Sequence, residues 1–119
     1  INKHGDNHFS PKHSHDNSFI SGGVYLQCEP NSGSIVFCKS ENPTWATNTL
    51  HPNVSENNIF NSYSWSFEPC MGDLFIFPSH LLHEVEKNMS GKDRYMIAFN
   101  YFLDGIFGGL TGEISIKVS

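Results

Sequence analysis

No stretch of ten or more residues in this chain carries helical periodicity with a cap. Apolar residues instead alternate with polar ones over short runs broken by Gly, Pro, Asn and Ser. That pattern confines the chain to β architecture. The expected strands are residues 19–28, 34–38, 63–67, 73–77, 81–87, 94–103 and 113–118. The turn Glu29-Pro30-Asn31-Ser32-Gly33 would let 34–38 pair back on 19–28 as a hairpin, and Pro69…Gly72, Pro78-Ser79, Asn88…Gly91 and Gly105…Gly109 mark later turns. About seven or eight short strands, with no internal repeat and no helix–strand alternation, predict an all-β sandwich or jelly roll. Residues 39–61 are polar and long for a structureless connection, with only Trp45 and Leu50 as apolar anchors. Such a length suits a lid or a substrate-contacting loop.

A chain of 119 residues fits a single domain spanning 1–119. It opens on Ile1 rather than Met, which reads as a fragment or a processed piece lacking N-terminal residues. The apolar residues are weighted toward Phe, Ile, Val and Tyr, types that suit a pleated, half-buried surface. A net charge of −5 without any basic run argues against a nucleic-acid partner, whose phosphates would be repelled. There is no apolar run of membrane-spanning length and no signal-peptide pattern, so no membrane partner is expected. Three cysteines, Cys28, Cys38 and Cys70, form no CxxC pair and leave one over. Cys28 and Cys38 could face each other across the first hairpin, but buried free thiols in a reducing compartment are the plainer reading. A cytoplasmic location is the expectation.

Seven histidines are many for this length, and His4, His8, His13 and His15 crowd the first fifteen residues. In an extended segment residues i and i+2 point the same way, about 6.5–7 Å apart, so His13 and His15 offer two imidazoles on one face. His83 lies within a predicted strand and shares parity with Leu81 and Val85, which turns it toward the apolar interior. A buried imidazole needs a partner, and a metal ion shared with the HxH pair supplies one. A solvated HxH pair and a hydrogen-bonded core histidine are the competing readings. His80 falls on the opposite side of its strand from His83. It should lie at the surface, as should His4, His8 and His51.

Three longer stretches bear on that choice. His13-Ser14-His15-Asp16-Asn17-Ser18-Phe19-Ile20-Ser21-Gly22-Gly23-Val24-Tyr25-Leu26 resembles the HxH and following strand of phage-type 2-oxoglutarate/Fe(II) oxygenases. Pro69-Cys70-Met71-Gly72-Asp73-Leu74-Phe75-Ile76-Phe77-Pro78-Ser79 is similar to the segment that leads into their distal histidine. Asp93-Arg94-Tyr95-Met96-Ile97-Ala98-Phe99-Asn100 is similar to their "R-x-x-I-x-F-N" strand, and Gly33-Ser34-Ile35-Val36-Phe37 to a strand between them.

The resemblance implies a double-stranded β-helix, a squashed jelly-roll barrel with Fe(II) at one open end, held by His13, His15 and His83. The superfamily more often has a carboxylate where His15 stands. Three neutral imidazoles would leave the site with an extra positive charge for 2-oxoglutarate to offset. Asp16 would be a supporting or a surface residue. The resemblance also implies that Arg94, eleven positions after His83, grips the far carboxylate of 2-oxoglutarate, since a guanidinium fork matches a carboxylate. Tyr25 resembles the phenol that assists it in some relatives. Asn100 matches the motif without an evident role. The implied activity is hydroxylation of an unknown substrate with 2-oxoglutarate and dioxygen as co-substrates. Two other classes remain open: a three-His cupin-type metalloenzyme that uses no 2-oxoglutarate, and a non-catalytic structural or ligand-binding jelly roll.

Overall fold

The computed structural model describes residues 1–39 and 53–119. Trp45, Leu50 and His51, and most of the proposed loop 39–61, lie outside the described residues. Within them the structure is all-β, without a helix. The strands are β1 (Asn2–His4), β2 (Ser10–His13), β3 (Ile20–Gln27), β4 (Ile35–Cys38), β5 (Ser64–Phe67), β6 (Leu74–Pro78), β7 (Leu82–Val85), β8 (Arg94–Tyr101), β9 (Gly105–Gly109) and β10 (Gly112–Ile116).

Two four-stranded antiparallel sheets face each other. One runs β1-β8-β3-β6 and the other β2-β7-β4-β5. Apart from β4 and β5, which pair within one sheet, successive strands from β1 to β8 alternate between the sheets, consistent with a jelly roll or double-stranded β-helix. A separate hairpin, β9 with β10, pairs with no other strand.

The interior follows from strand parity. Tyr25 on β3, Phe75 and Phe77 on β6, Ile35 and Phe37 on β4, Phe67 on β5 and Val85 on β7 meet between the sheets. Rings cross the gap directly: the Phe37 centroid is 4.9 Å from that of Phe77, and Phe67 is 5.8 Å from Phe75. Edge-to-face and tilted packing of this kind adds about 0.5–1.5 kcal/mol per pair beyond area burial.

One expected pairing is wrong. Residues 34–38 do not fold back on 19–28, because β4 pairs with β5 and β7 while β3 pairs with β6 and β8. The connection 29–33 carries the chain across to the other sheet. Asn31 and Gly33 both take positive φ, 64° and 91°, and the Met89 amide donates to Asn31 O at 2.9 Å. Cys28 and Cys38 thus belong to different sheets, and all three cysteines are free. Two further differences concern strands absent from the sequence reading. β1 and β2 are short and polar, so no alternation announces them, and 105–109, read as a turn, forms β9 against β10.

Gly33 is the tightest point of the crossover. A Cβ there would run into the carbonyl oxygen of Glu86, at a backbone conformation that L side chains rarely adopt. Gly33→Ala should therefore cost about 1–3 kcal/mol and lower Tm by roughly 5–15 °C. A thermal melt at the wild-type Tm would show that β4 does not pass this close to the end of β7.

Candidate metal centre

β2 and β7 pair with His13 directly opposite His83, after a register shift that separates this pair from Ser10 opposite Val85. His15 lies two residues beyond the end of β2, where its amide donates to Ser79 O at 2.9 Å. Ser18 Oγ donates to His15 O at 3.2 Å, and Asn17 turns the chain at φ 65°. These local bonds hold His15 beside the two strand histidines. The centroids of His13 and His83 are 4.4 Å apart, and each lies 5.1 Å from that of His15. One ring nitrogen from each of the three lies within 4.8 Å of the other two. An ion with imidazole bonds of about 2.0–2.1 Å sets neighbouring ligand nitrogens about 3–3.4 Å apart, so these rings would close on one ion by small inward tilts. The three could hold a metal ion.

The protons on two of the rings are already assigned. His13 Nδ1 lies 2.7 Å from Pro11 O, and His83 Nδ1 lies 2.9 Å from Leu81 O. A carbonyl only accepts, so Nδ1 of each ring carries the hydrogen and Nε2 presents a lone pair. Burial pushes the His83 pKa down, opposed by the bond to Leu81 and reinforced by the neighbouring imidazoles. Burial, and then His13, also lowers that of His15. Both effects favour the neutral, ligating form. Phe77 and Phe37 wall the group on the interior side, with centroids 4.7 and 6.1 Å from that of His83. Asp16, adjacent in sequence, is exposed, as are His8 and His80.

At the start of β8, Arg94 is 1% exposed. Its Nη1 donates to Ser32 O at 2.5 Å and to Gly33 O at 3.0 Å, and its Nη2 donates to His4 Nδ1. His4 is therefore not the surface residue expected. The β1–β8 ladder sets it opposite Arg94, half-buried, with Nε2 donating to Ser10 Oγ at 3.3 Å. Ion pairs among the described residues are Lys3–Asp93 and Lys92–Glu29, so no carboxylate there neutralises Arg94. The Tyr25 side chain, 1% exposed, has a hydroxyl without a hydrogen-bond partner among the described residues. Burial raises its pKa, while the nearby Arg94 charge pulls it down.

A polar chain that the sequence reading missed runs along the β8-β3-β6 side of the barrel. Ser21 Oγ donates to Asn100 Oδ1 at 2.6 Å and receives the Ser79 hydroxyl at 2.7 Å, and Ser79 O accepts the His15 amide. Both serines are buried. A Ser at inward parity in the apolar run 19–28 was the available signal. Asn100, without a role from sequence, is the exposed end of this chain.

Residues 1–100 match the family described as "putative 2OG-Fe(II) oxygenase". The chain belongs to that family. Membership implies Fe(II) as the metal, with 2-oxoglutarate and dioxygen as co-substrates. The match includes all three clustered histidines together with Tyr25 and Arg94, and it ends before the β9–β10 hairpin. A search among curated proteins finds no match. No helix among the described residues of this oxygenase-family chain is long and apolar enough to cross a membrane.

The lowered His15 and His83 values carry a pH consequence. Their folded pKa values lie below the ordinary 6.5, so the unfolded chain takes up protons that the folded one resists. Their contribution is complete above pH 6.5 and is lost as pH falls through the folded values. In metal-free protein, Tm should fall on acidification below about pH 6.5, and by less in His83→Ala. Equal slopes for the two proteins would contradict the assigned burial effect.

Proposed function

We propose that this chain is a 2-oxoglutarate- and Fe(II)-dependent dioxygenase that hydroxylates a substrate, with His13, His15 and His83 as metal ligands and Arg94 and Tyr25 as the 2-oxoglutarate-binding pair. The observation that carries this reading is the buried Arg94 guanidinium, which lacks a carboxylate partner among the described residues and acts on a buried, unpaired Tyr25 hydroxyl. A buried charge without a counter-ion costs several kcal/mol, and an orphaned hydroxyl about 1–3 kcal/mol. One carboxylate bound between them would relieve both. Three-His chemistry alone gives no reason for such a pair, which favours 2-oxoglutarate use over a cupin-type enzyme.

The residues fit the implied metal as well. Two rings present Nε2 lone pairs because their Nδ1 hydrogens are held by Pro11 O and Leu81 O, and the inner wall is aromatic. Three neutral ligands leave the ion's charge uncompensated by protein, which suits a dianionic co-substrate. Bound there, Fe(II) would supply activation of dioxygen. Over the whole reaction one oxygen atom ends in succinate and the other in the hydroxylated product, and carbon dioxide leaves. Of the four electrons that reduce dioxygen, two come from the keto acid and two from the substrate C–H bond. The protein's part is to orient 2-oxoglutarate through Arg94 and Tyr25 and to exclude water with Phe37 and Phe77. Three free thiols suit a reducing compartment, in keeping with a cytoplasmic location.

Anaerobic titration with Fe(II) and 2-oxoglutarate should produce the weak visible charge-transfer band of the chelate, and His83→Ala should abolish it. A folded wild-type protein with no band would reject the proposal. Arg94→Gln should keep Fe(II) binding but weaken 2-oxoglutarate binding by about 30- to 150-fold, the worth of a charge-assisted fork. Unchanged 2-oxoglutarate affinity in a folded Arg94→Gln protein would point to three-His chemistry without that co-substrate.

A further inference from the structure

The strand orders put β5 at the edge of one sheet and β6 at the edge of the other, on the same side of the barrel. They follow each other in sequence and share no ladder. Between these edges lies a cavity of about 450 Å³. Its deep wall is built from Phe37, Phe67, Phe75 and Phe77, with Trp65 beside them. Two of those rings, Phe37 and Phe77, also face His83. A ligand resting on them would pack against the same two rings as His83.

The chemistry of the lining is one-sided. Among the described residues its cation is Lys39, which already donates from Nζ to Phe60 O at 2.7 Å, and no carboxylate lines the cavity. Ser62 and Ser64 add small hydroxyls near the mouth. A phosphate, a sugar or a charged amino-acid head group would lose its water here and gain little. A flat apolar ring would meet aromatic edges and faces on several sides, which is the geometry such rings prefer. The volume lies in the range of ordinary small-ligand pockets.

From this we infer that the cavity seats the prime substrate, and that the substrate presents an apolar ring system to the metal centre. The inference rests on the dioxygenase reading above and adds the substrate class to it. The ring could belong to a free small molecule or to a protein side chain, since the slit between β5 and β6 is open among the described residues.

Ligand-observed NMR on the metal-free protein tests the seat without turnover, using indole, N-acetyltryptophanamide, methyl glucoside and adenosine monophosphate as probes. Indole should bind, while the glucoside and the nucleotide should not. Binding of indole alone assigns a free small molecule, and binding of the tryptophanamide as well extends the class to side chains. Ser62→Arg, which puts a cation at the mouth while leaving the barrel interior intact, should weaken indole by about tenfold or more. Trp65→Leu should weaken it by about three- to tenfold. With Fe(II) and 2-oxoglutarate bound, indole should perturb the visible band of the wild type, and Ser62→Arg should keep the band but not respond.

No indole binding by folded wild-type protein, or equal binding by Ser62→Arg, would overturn the inference and leave the dioxygenase reading standing if the band forms. Indole binding with no band at all would remove the dioxygenase reading and the substrate assignment with it.

Discussion

The pairing of β2 with β7 is the constraint on which the rest of the candidate site depends. It sets His13 opposite His83, and the register shift beside it lets Ser10 meet Val85 while the histidines stay in line. A slip of one residue in either strand would send an imidazole to the outer face. His15 adds the third ring because the chain beyond β2 is pinned to Ser79, whose hydroxyl is itself bonded to Ser21 on the neighbouring strand β3. The cluster is thus set by ladder register at two corners and by a buried polar chain at the third.

Two buried groups in this barrel show opposite electrostatic strategies. The His83 imidazole avoids the cost of burial by favouring its neutral form, with its Nδ1 hydrogen held by the Leu81 carbonyl two residues upstream. Arg94 cannot follow that route because a guanidinium keeps its proton. Burial lowers its pKa, yet it remains a cation held by two carbonyls and the neutral His4 ring. Its environment solvates the charge without cancelling it. Under the proposed function that charge would be ready for the carboxylate of 2-oxoglutarate.

Local pattern was enough to read much of this from the chain. Alternation in 19–28, 73–77 and 94–103 located three neighbouring strands of one sheet, and the parity of His83 with Leu81 and Val85 turned it inward, where it is 4% exposed. What failed was non-local. The partner of 34–38 is decided by a crossover between sheets, and no feature of 29–33 distinguishes that from a hairpin until Gly33 is seen wedged against Glu86. β1 and β2 are too short and polar to show a period, so His4 read as a surface residue although its ladder partner is Arg94. Burial of His4 is a property of β8 as much as of β1.

Because β5 and β6 share no ladder, contacts among Phe37, Phe67 and Phe75 bridge the barrel wall between these two strands. Such contacts are individually weak, non-directional and quick to reform. The seam can therefore widen and narrow by shuffling rotamers while both ladders stay whole. A bulky guest could be admitted from the flank without melting a strand, and the histidine corner, braced by its own ladder, need not feel the passage.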